Sequence, residues 1–325
     1  MKRHPRLILA LKIAAALAVL VYLLRLVEWP NVVGSARAAD TRLLVVALVL
    51  MPLNLLLEVW LWHRLSVQGG GEPTVSDSVA SVLCGHSAGI ITPARSGEVV
   101  VRAMYAGQTD TWRAGALALI HRMLDFHAVV LVSLPACVAF FLGFAPQPPL
   151  PWGALCAAAF VLLIVLTAVL AQPRLLLRLA TRVLRGERWS DRLAFLAEWP
   201  ASDRVFLLIL AVVRYGVYVT QYAVLLHAFG AEVPWIHALT AGAIVFFGKL
   251  LIPPVTFTDV GIREGVSVYV AGFFGIAGAV AFNAAFGLFL INLVIPSVVG
   301  VPFLLRSGGV RGATRLAPRG PEAGP

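Results

Sequence analysis

The sequence predicts an all-α fold: a polytopic transmembrane helical bundle of about six full spans plus two re-entrant helical hairpins, arranged as an inverted repeat. Three observations predict it. The 325 residues are 60% hydrophobic and 13% charged, against about 45–50% and about 25% in soluble domains. The apolar residues gather in runs long enough to cross a bilayer, which takes about 20 residues. Two further apolar stretches each break at a short polar knot, Thr92–Glu98 and Pro253–Glu264.

The full-length spans follow in order. Residues 7–27 come after a basic N-terminus (Lys2, Arg3, Arg6). This run is too long for a signal peptide and no small-residue cleavage site follows, so it is expected to remain as the first span. Residues 43–65 form the second, interrupted by Asn54, Glu58 and His63. Residues 114–143 form the third, with His121, Arg122, Asp125 and His127 in its first half. Residues 153–171 and 205–229 are the fourth and fifth, the latter carrying Arg214. Residues 277–305 are the last, with Asn283 and Asn292 inside.

Loop charge orients these spans. The N-terminus, the arginine-rich loop 173–204 and the tail with Arg306, Arg311, Arg315 and Arg319 read as cytoplasmic under the positive-inside rule, in a bacterial-type inner membrane. The uncharged, proline-rich linker 145–151 belongs outside. Both termini are then cytoplasmic. Residues 66–113 begin and end inside, and residues 230–276 begin and end outside. Their apolar halves (79–91 and 99–106, then 236–252 and 266–276) are short for spans at about 1.5 Å per residue. Re-entrant hairpins dipping from opposite faces account for them, and two pairs of crossing helices are the rival arrangement. The chain therefore reads as a single integral membrane domain, 1–325. Its first half is 43–143 with re-entrant 75–106, its second half 205–305 with re-entrant 236–276, and a disordered basic tail occupies 306–325.

The knots carry the candidate chemistry. Pro93 stops one half-helix, because it has no N–H and restricts the residue before it. Ser96 is placed to cap the next, beside Gly97, with Glu98 in the first turn. Glu98 and Arg102 are spaced i, i+4 and share a face. Arg95 lies just before the helix start, where a phosphate would be favoured. In the second knot Pro253 and Pro254 break the helix, Thr258 or Asp259 caps, and Arg263 and Glu264 follow Gly261. The plainer reading of each knot is a loop with a capped helix start.

Buried charge in the spans points the same way, since a charged side chain at the bilayer centre costs about 2.5–3.5 kcal/mol on insertion scales. His121 and Asp125 share a face at i, i+4, and Arg122 reaches Asp125 at i, i+3. The cluster either faces the first hairpin, pairing with Glu98 or Arg102, or neutralises itself at the cytoplasmic edge. Arg214 lies roughly 15 Å deep by helical rise and needs an acidic group, carbonyls, water or a lipid phosphate. Lys249 poses the same question, and Glu58 is an acidic partner for either half.

Several function classes are excluded or disfavoured. The net charge is +10, but the basic residues flank apolar spans, which indicates orientation and anionic lipid rather than nucleic acid. Cys84, Cys137 and Cys156 form no CxxC pair. The histidines lack metal-ligand spacing, and neither GxSxG nor a Walker-type loop is present, so no metal, cofactor or catalytic residue is expected.

At Pro93-Ala94-Arg95-Ser96-Gly97-Glu98 with Arg102, at Arg122 and Asp125, and at Gly261-Ile262-Arg263-Glu264, the chain resembles a known family. This is the transmembrane region of lysylphosphatidylglycerol synthases and the wider flippase-like membrane proteins. The resemblance covers roughly residues 43–305. Ala94 departs from the family's usual glycine, His121 from its usual glutamate, and Thr256-Phe257-Thr258-Asp259 from a glycine-rich approach.

The resemblance implies translocation of lipids or lipid-linked molecules between leaflets. No stretch is long enough for a soluble catalytic domain, so lipid synthesis is not expected of this chain. The expected ligand is an anionic or isoprenoid-linked membrane lipid. Arg95, Arg102, Arg122, Arg263, Lys249 and Arg214 would hold its phosphate, and Glu98, Asp125, Glu264, Glu58 and Asp259 would balance charge or carry protons. A separate lipid-modifying enzyme is the candidate protein partner. The alternative roles are a membrane subunit of an enzyme making aminoacyl-lipids or lipid-linked glycans, and a scaffold for a synthase.

Overall fold

A computed structural model describes residues 21–92, 95–104, 111–143, 152–172, 195, 198–252 and 261–306. Pro93, Pro253, Pro254, Asp259 and most of the basic loop and tail lie outside these residues. The described residues are helical almost throughout, with no strand among them. After helical residues 21–26 come α1 (Trp29–Arg37), α2 (Thr41–Gln68), α3 (Val75–Ile90), α4 (Ser96–Met104), α5 (Thr111–Gly143) and α6 (Trp152–Ala171). They are followed by α7 (Ala201–Ala228), α8 (Trp235–Leu251), α9 (Ile262–Phe273), α10 (Gly278–Phe289), a π-helical turn (Leu290–Val294) and α11 (Ile295–Arg306).

Four of these stretches are long and apolar enough to cross a membrane: Thr41–Gln68, Arg113–Gly143, Ala201–Ala228 and Gly278–Arg306. Cys156–Ala171 and Trp235–Leu251 are shorter apolar helices. Large side chains such as Val49, Leu56, Leu142, Val161, Ile236 and Val298 are exposed. Such an apolar exterior suits lipid, and the protein is an integral membrane protein.

Local chemistry sets the helix starts. Asp40 caps α2, accepting from the amides of Arg42 (2.8 Å) and Leu43 (3.4 Å). Thr74 and Asp77 form a reciprocal capping box at α3: the Asp77 amide donates to the Thr74 hydroxyl and the Thr74 amide to the Asp77 carboxylate. These bonds hold the Asp77 carboxyl below the usual carboxylate range. At α4 the sequence expectation needs correction. Ser96 is the first helical residue, and the cap is the Thr92 hydroxyl, which accepts from the Gly97 amide at 2.9 Å. Thr92 sits on the incoming turn, close enough to replace a serine cap.

Two further features differ from expectation. Residues 29–37, which lie between the first two expected spans, are helical with Pro30 in the first turn, where its missing N–H costs nothing. The last span is interrupted by the π turn around Asn292. Asn292 donates to Gln221 at 2.7 Å and accepts from Asn54 at 3.4 Å, and Gln221 donates to the Ala47 carbonyl at 2.7 Å. A buried amide chain thus joins α2, α7 and the π turn.

The helices pack in a repeating set of neighbours. α2 lies against α7, α3 against α4 and α11, α8 against α5 and α9, α4 against α5, and α9 against α10. Small residues permit the closest approach, at α3 and α11. A Cβ at Gly300 would collide with the Leu83 carbonyl oxygen. There the Ser87 hydroxyl donates to the Ser297 carbonyl, and the Ser297 hydroxyl donates to the His86 carbonyl at 3.0 Å.

Candidate functional site: a buried charge cluster between five helices

Glu58 occupies the centre. It lies on the face of α2 that packs on α7, one turn from Asn54 and one from Trp62, and its side chain is only 4% exposed. Three donors reach it from three other helices. Arg102 of α4 pairs with Oε1. Arg214 of α7 donates to Oε2 at 2.8 Å, and His86 Nε2 of α3 lies 3.2 Å from the same oxygen.

Glu98 is the second hub. Arg102, one turn on in α4, pairs with Oε1 at 2.8 Å. Arg95 Nε lies 3.0 Å from Oε2 and Arg122 of α5 lies 3.4 Å from it. Arg122 also donates to the Arg95 carbonyl at 2.9 Å. Arg95 itself takes a positive φ of 55°, rare for a residue with a side chain. Asp125 of α5 is the third carboxylate, accepting from Arg214 at 2.7 Å, with His121 Nδ1 3.5 Å away.

The helix surfaces make room for these side chains. A Cβ at Gly85 would meet Arg102 and Glu98 at 3.2–3.3 Å, and one at Gly89 would meet Arg95 at 3.2 Å. With Ser81, these glycines form a groove on α3 for the charged face of α4. Trp62 closes one side: the Arg102 guanidinium lies 5.5 Å from its ring, and His121 meets it edge-on.

The two histidines sit alike. Arg95 donates to His86 Nδ1 at 3.2 Å, and Arg102 donates to His121 Nε2 at 3.3 Å. An arginine has no acceptor atom, so each ring accepts on one nitrogen and turns its remaining N–H toward a carboxylate. The result is two arginine–histidine–carboxylate chains, ending on Glu58 and Asp125.

The cluster grades from closed to open. Arg102, Glu58 and His121 are buried, whereas the Arg122 side chain is 40% exposed, Asp125 34% and Arg95 33%. A fully buried set of ion pairs is a poor source of stability, because desolvation offsets much of the attraction. A set open at one edge has a surface to offer a ligand.

The remaining candidates lie apart. Arg263 and Glu264 pair with each other at 3.2 Å in the first turn of α9, where both are buried. Glu264 also accepts from the Gly261 amide at 2.7 Å, and Arg263 lies over the Phe289 ring at 5.1 Å. Gly261 has φ 88°, which glycine adopts without strain. Lys249 is half-buried in the last turn of α8. Tyr218, one turn beyond Arg214 on α7, interacts with Arg263, so α7 serves both groups.

The structure therefore brings together Arg95, Glu98, Arg102, Arg122, Asp125, Arg214 and Glu58. Of the two arrangements the sequence left open for the α5 cluster, the one facing the first hairpin is seen in the Arg122–Glu98 contact, and Asp125 also pairs with Arg214 of α7. It missed His86 and Trp62 altogether. The available signal for His86 was a lone imidazole among small residues, one turn before Gly89 and the knot. Among the described residues no group of three His, Cys, Asp or Glu is arranged to hold a metal ion.

A comparison with curated proteins finds no match. The chain does match the family described as the lysylphosphatidylglycerol synthase TM region, over residues 8–300. That range spans both the cluster and the Arg263–Glu264 pair, and it covers most of the sequence: the chain belongs to the lysylphosphatidylglycerol synthase transmembrane-region family.

Proposed function

We propose that the protein is a flippase-like transporter that binds an anionic or phosphate-bearing lipid and moves it between membrane leaflets. The observation that carries this reading is the cluster itself: seven ionised side chains from four apolar helices, with one edge open. Intramembrane charge of this kind is costly and marks substrate paths. The headgroup enters at Arg95 and Arg122 while its acyl chains stay in lipid. Arg102 and Arg214 hold the inner wall, and Glu58, Glu98 and Asp125 keep the guanidiniums in place.

Helix lengths and neighbours support two re-entrant hairpins in an inverted repeat. α3 and α4 have 16 and 9 residues, α8 and α9 have 17 and 12. At 1.5 Å per residue these run about 24, 14, 26 and 18 Å, below the roughly 30 Å hydrocarbon thickness. Exchanging α2 with α7, α3 with α8, α4 with α9, and α5 with α10–α11 maps the packing onto itself, including the crossed pairs α3–α11 and α8–α5. Rocking of such halves would alternate access. The basic loops of the sequence support a topology with both termini in the cytoplasm. Covalent modification of the lipid is left to a separate enzyme.

The test is lipid movement in reconstituted vesicles. The R95A/R122A variant changes two half-exposed side chains, so it should keep the wild-type circular dichroism and thermal transition yet lose translocation. Wild-type transport by that variant would overturn the reading.

A further inference from the structure

Cys137 and Cys156 lie on consecutive helices, α5 and α6, which pack on each other. The segment 144–151 that joins them is too short to run back along the whole of α5, so the two helices are antiparallel. One hydrogen bond sets their register: the Thr167 hydroxyl and His127 Nε2 lie 3.2 Å apart. From His127 to Cys137 is about 15 Å of helical rise, and from Thr167 back to Cys156 is about 17 Å. Both steps run toward the connecting segment, so the two cysteines sit at one level.

They also sit on facing sides, since Cys156 is near enough to Cys137 to act on it electrostatically. Both are free thiols. Cys137 is 1% exposed, and Cys156, in the second turn of α6, is half-buried. The third cysteine, Cys84, is buried on α3 with Ala88 and Val101 in a separate apolar cluster. Spacing along the chain pairs none of the three; the fold singles out two.

We infer that Cys137 and Cys156 are a dithiol–disulfide pair, closed by a disulfide oxidant at the outer face into a bond that joins α6 to α5. The outer placement rests on the topology given by the basic loops; the pairing rests on the packing alone. Oxidising compartments are where such bonds persist.

The exchange has a defined order. The Cys156 thiolate, the more accessible sulfur, attacks the oxidant disulfide and expels one thiolate. Cys137 then attacks the Cys156 sulfur, forms the S–S bond and expels the second. The two protein thiol protons end on the two released thiols, and the oxidant takes up both electrons. α6 packs mainly on α5 and only lightly on α7. The bond therefore makes one body of α6 and the helix that carries Arg122 and Asp125.

The probe is 2,2′-dipyridyl disulfide, an apolar disulfide that enters bilayers, added to the full chain in vesicles. Peptide mapping without reductant should find Cys137 joined to Cys156, with two pyridinethiones released per pair. Cys137→Ser should stall at the first step: one pyridinethione released and a stable pyridylthio group on Cys156. A stable pyridylthio group on Cys156 of the wild type, or no reaction at either cysteine, would overturn the pairing. So would a bond from Cys84 to Cys156 in the Cys137→Ser variant, which would make Cys84 the resolving thiol.

The same bond should be present in growing cells. Protein trapped there with N-ethylmaleimide, then reduced and labelled with its deuterated form, should carry the heavy label at Cys137 and Cys156 and the light label at Cys84. Light label at both members of the pair would show that no oxidant reaches them in the cell, and would sink the proposal even where the probe closes the bond.

Discussion

Arg102 and Glu58 lie 44 residues apart in sequence, on α4 and α2, and pair where their side chains are only 2% and 4% exposed. Neither has an alternative in water. Arg102→Ala leaves Glu58 short of a donor at the centre of the cluster. It should destabilise the fold by about 3–5 kcal/mol, the range for removing one member of a buried pair. Reversible unfolding in mixed micelles measures this, and a loss below about 1 kcal/mol would show that Glu58 is held by Arg214 and His86 alone.

Glu264 has two roles that can be separated. Its carboxylate pairs with Arg263, and its Oε2 accepts from the Gly261 amide at 2.7 Å. Glu264→Ala should cost about 3–5 kcal/mol, because Arg263 is left buried without its counter-ion. The R263M/E264Q double variant keeps an acceptor for the Gly261 amide and buries no net charge. It should recover most of that loss in the same unfolding measurement.

How much of the site could be read in advance depended on the range of each contact. Glu98 and Arg102 were legible because i, i+4 spacing places them together whatever the fold. Arg214 was legible as needing an acidic group, carbonyls, water or a lipid phosphate, since it lies too deep for easy snorkelling. That the acid is Glu58, shared with Arg102 and His86, depends on how α2, α3, α4 and α7 meet, which no local pattern records. Asp125 shows the limit of local rules. Local spacing offered the cluster either itself or the first hairpin, and Arg122 does meet Glu98 there, but that Asp125 meets Arg214 from α7 is recorded in no local spacing. Four of the six expected full spans were legible from apolar length alone, while most of residues 7–27 lies outside the described residues and 153–171 forms a shorter helix. Trp29–Arg37 escaped notice because Pro30, Asn31 and Gly34 are poor helix formers that packing against α10 overrides.

Gly300 sits against the backbone of α3, where any Cβ meets the Leu83 carbonyl oxygen and the Ser87 hydroxyl. Gly300→Ala should force α11 away from α3 and cost about 1–3 kcal/mol, as overpacking does. Because His86 lies on the same helix, the variant should also weaken the Glu58 network. A transition temperature equal to wild type would argue against the close approach.

The capping box of α3 gives a pH-dependent prediction at the membrane edge. Asp77 accepts from the Thr74 amide and hydroxyl, which holds its carboxyl below the usual range. A depressed carboxyl adds stability above its unfolded pKa and loses it as pH falls through the folded value. Hydrogen exchange at the start of α3 should therefore quicken on acidification through that range. Thr74→Ala should give fast exchange at every pH, with a cost of about 1 kcal/mol.

The π turn at Leu290–Val294 places one extra residue in the last long helical stretch. One residue corresponds to about 100° of rotation about a helix axis. The turn lets a single rod present Asn292 to Gln221 and Asn54 on one bearing, and Ser297 with Gly300 to α3 on another. Removing any one residue from the turn would swing everything beyond it by that angle. The distal half would then offer α3 a different side chain in place of Gly300, and the groove that seats Arg102 would lose its backing. The number of residues in the turn therefore matters alongside the identity of Asn292, and a single-codon deletion there would be more damaging than most substitutions of its neighbours.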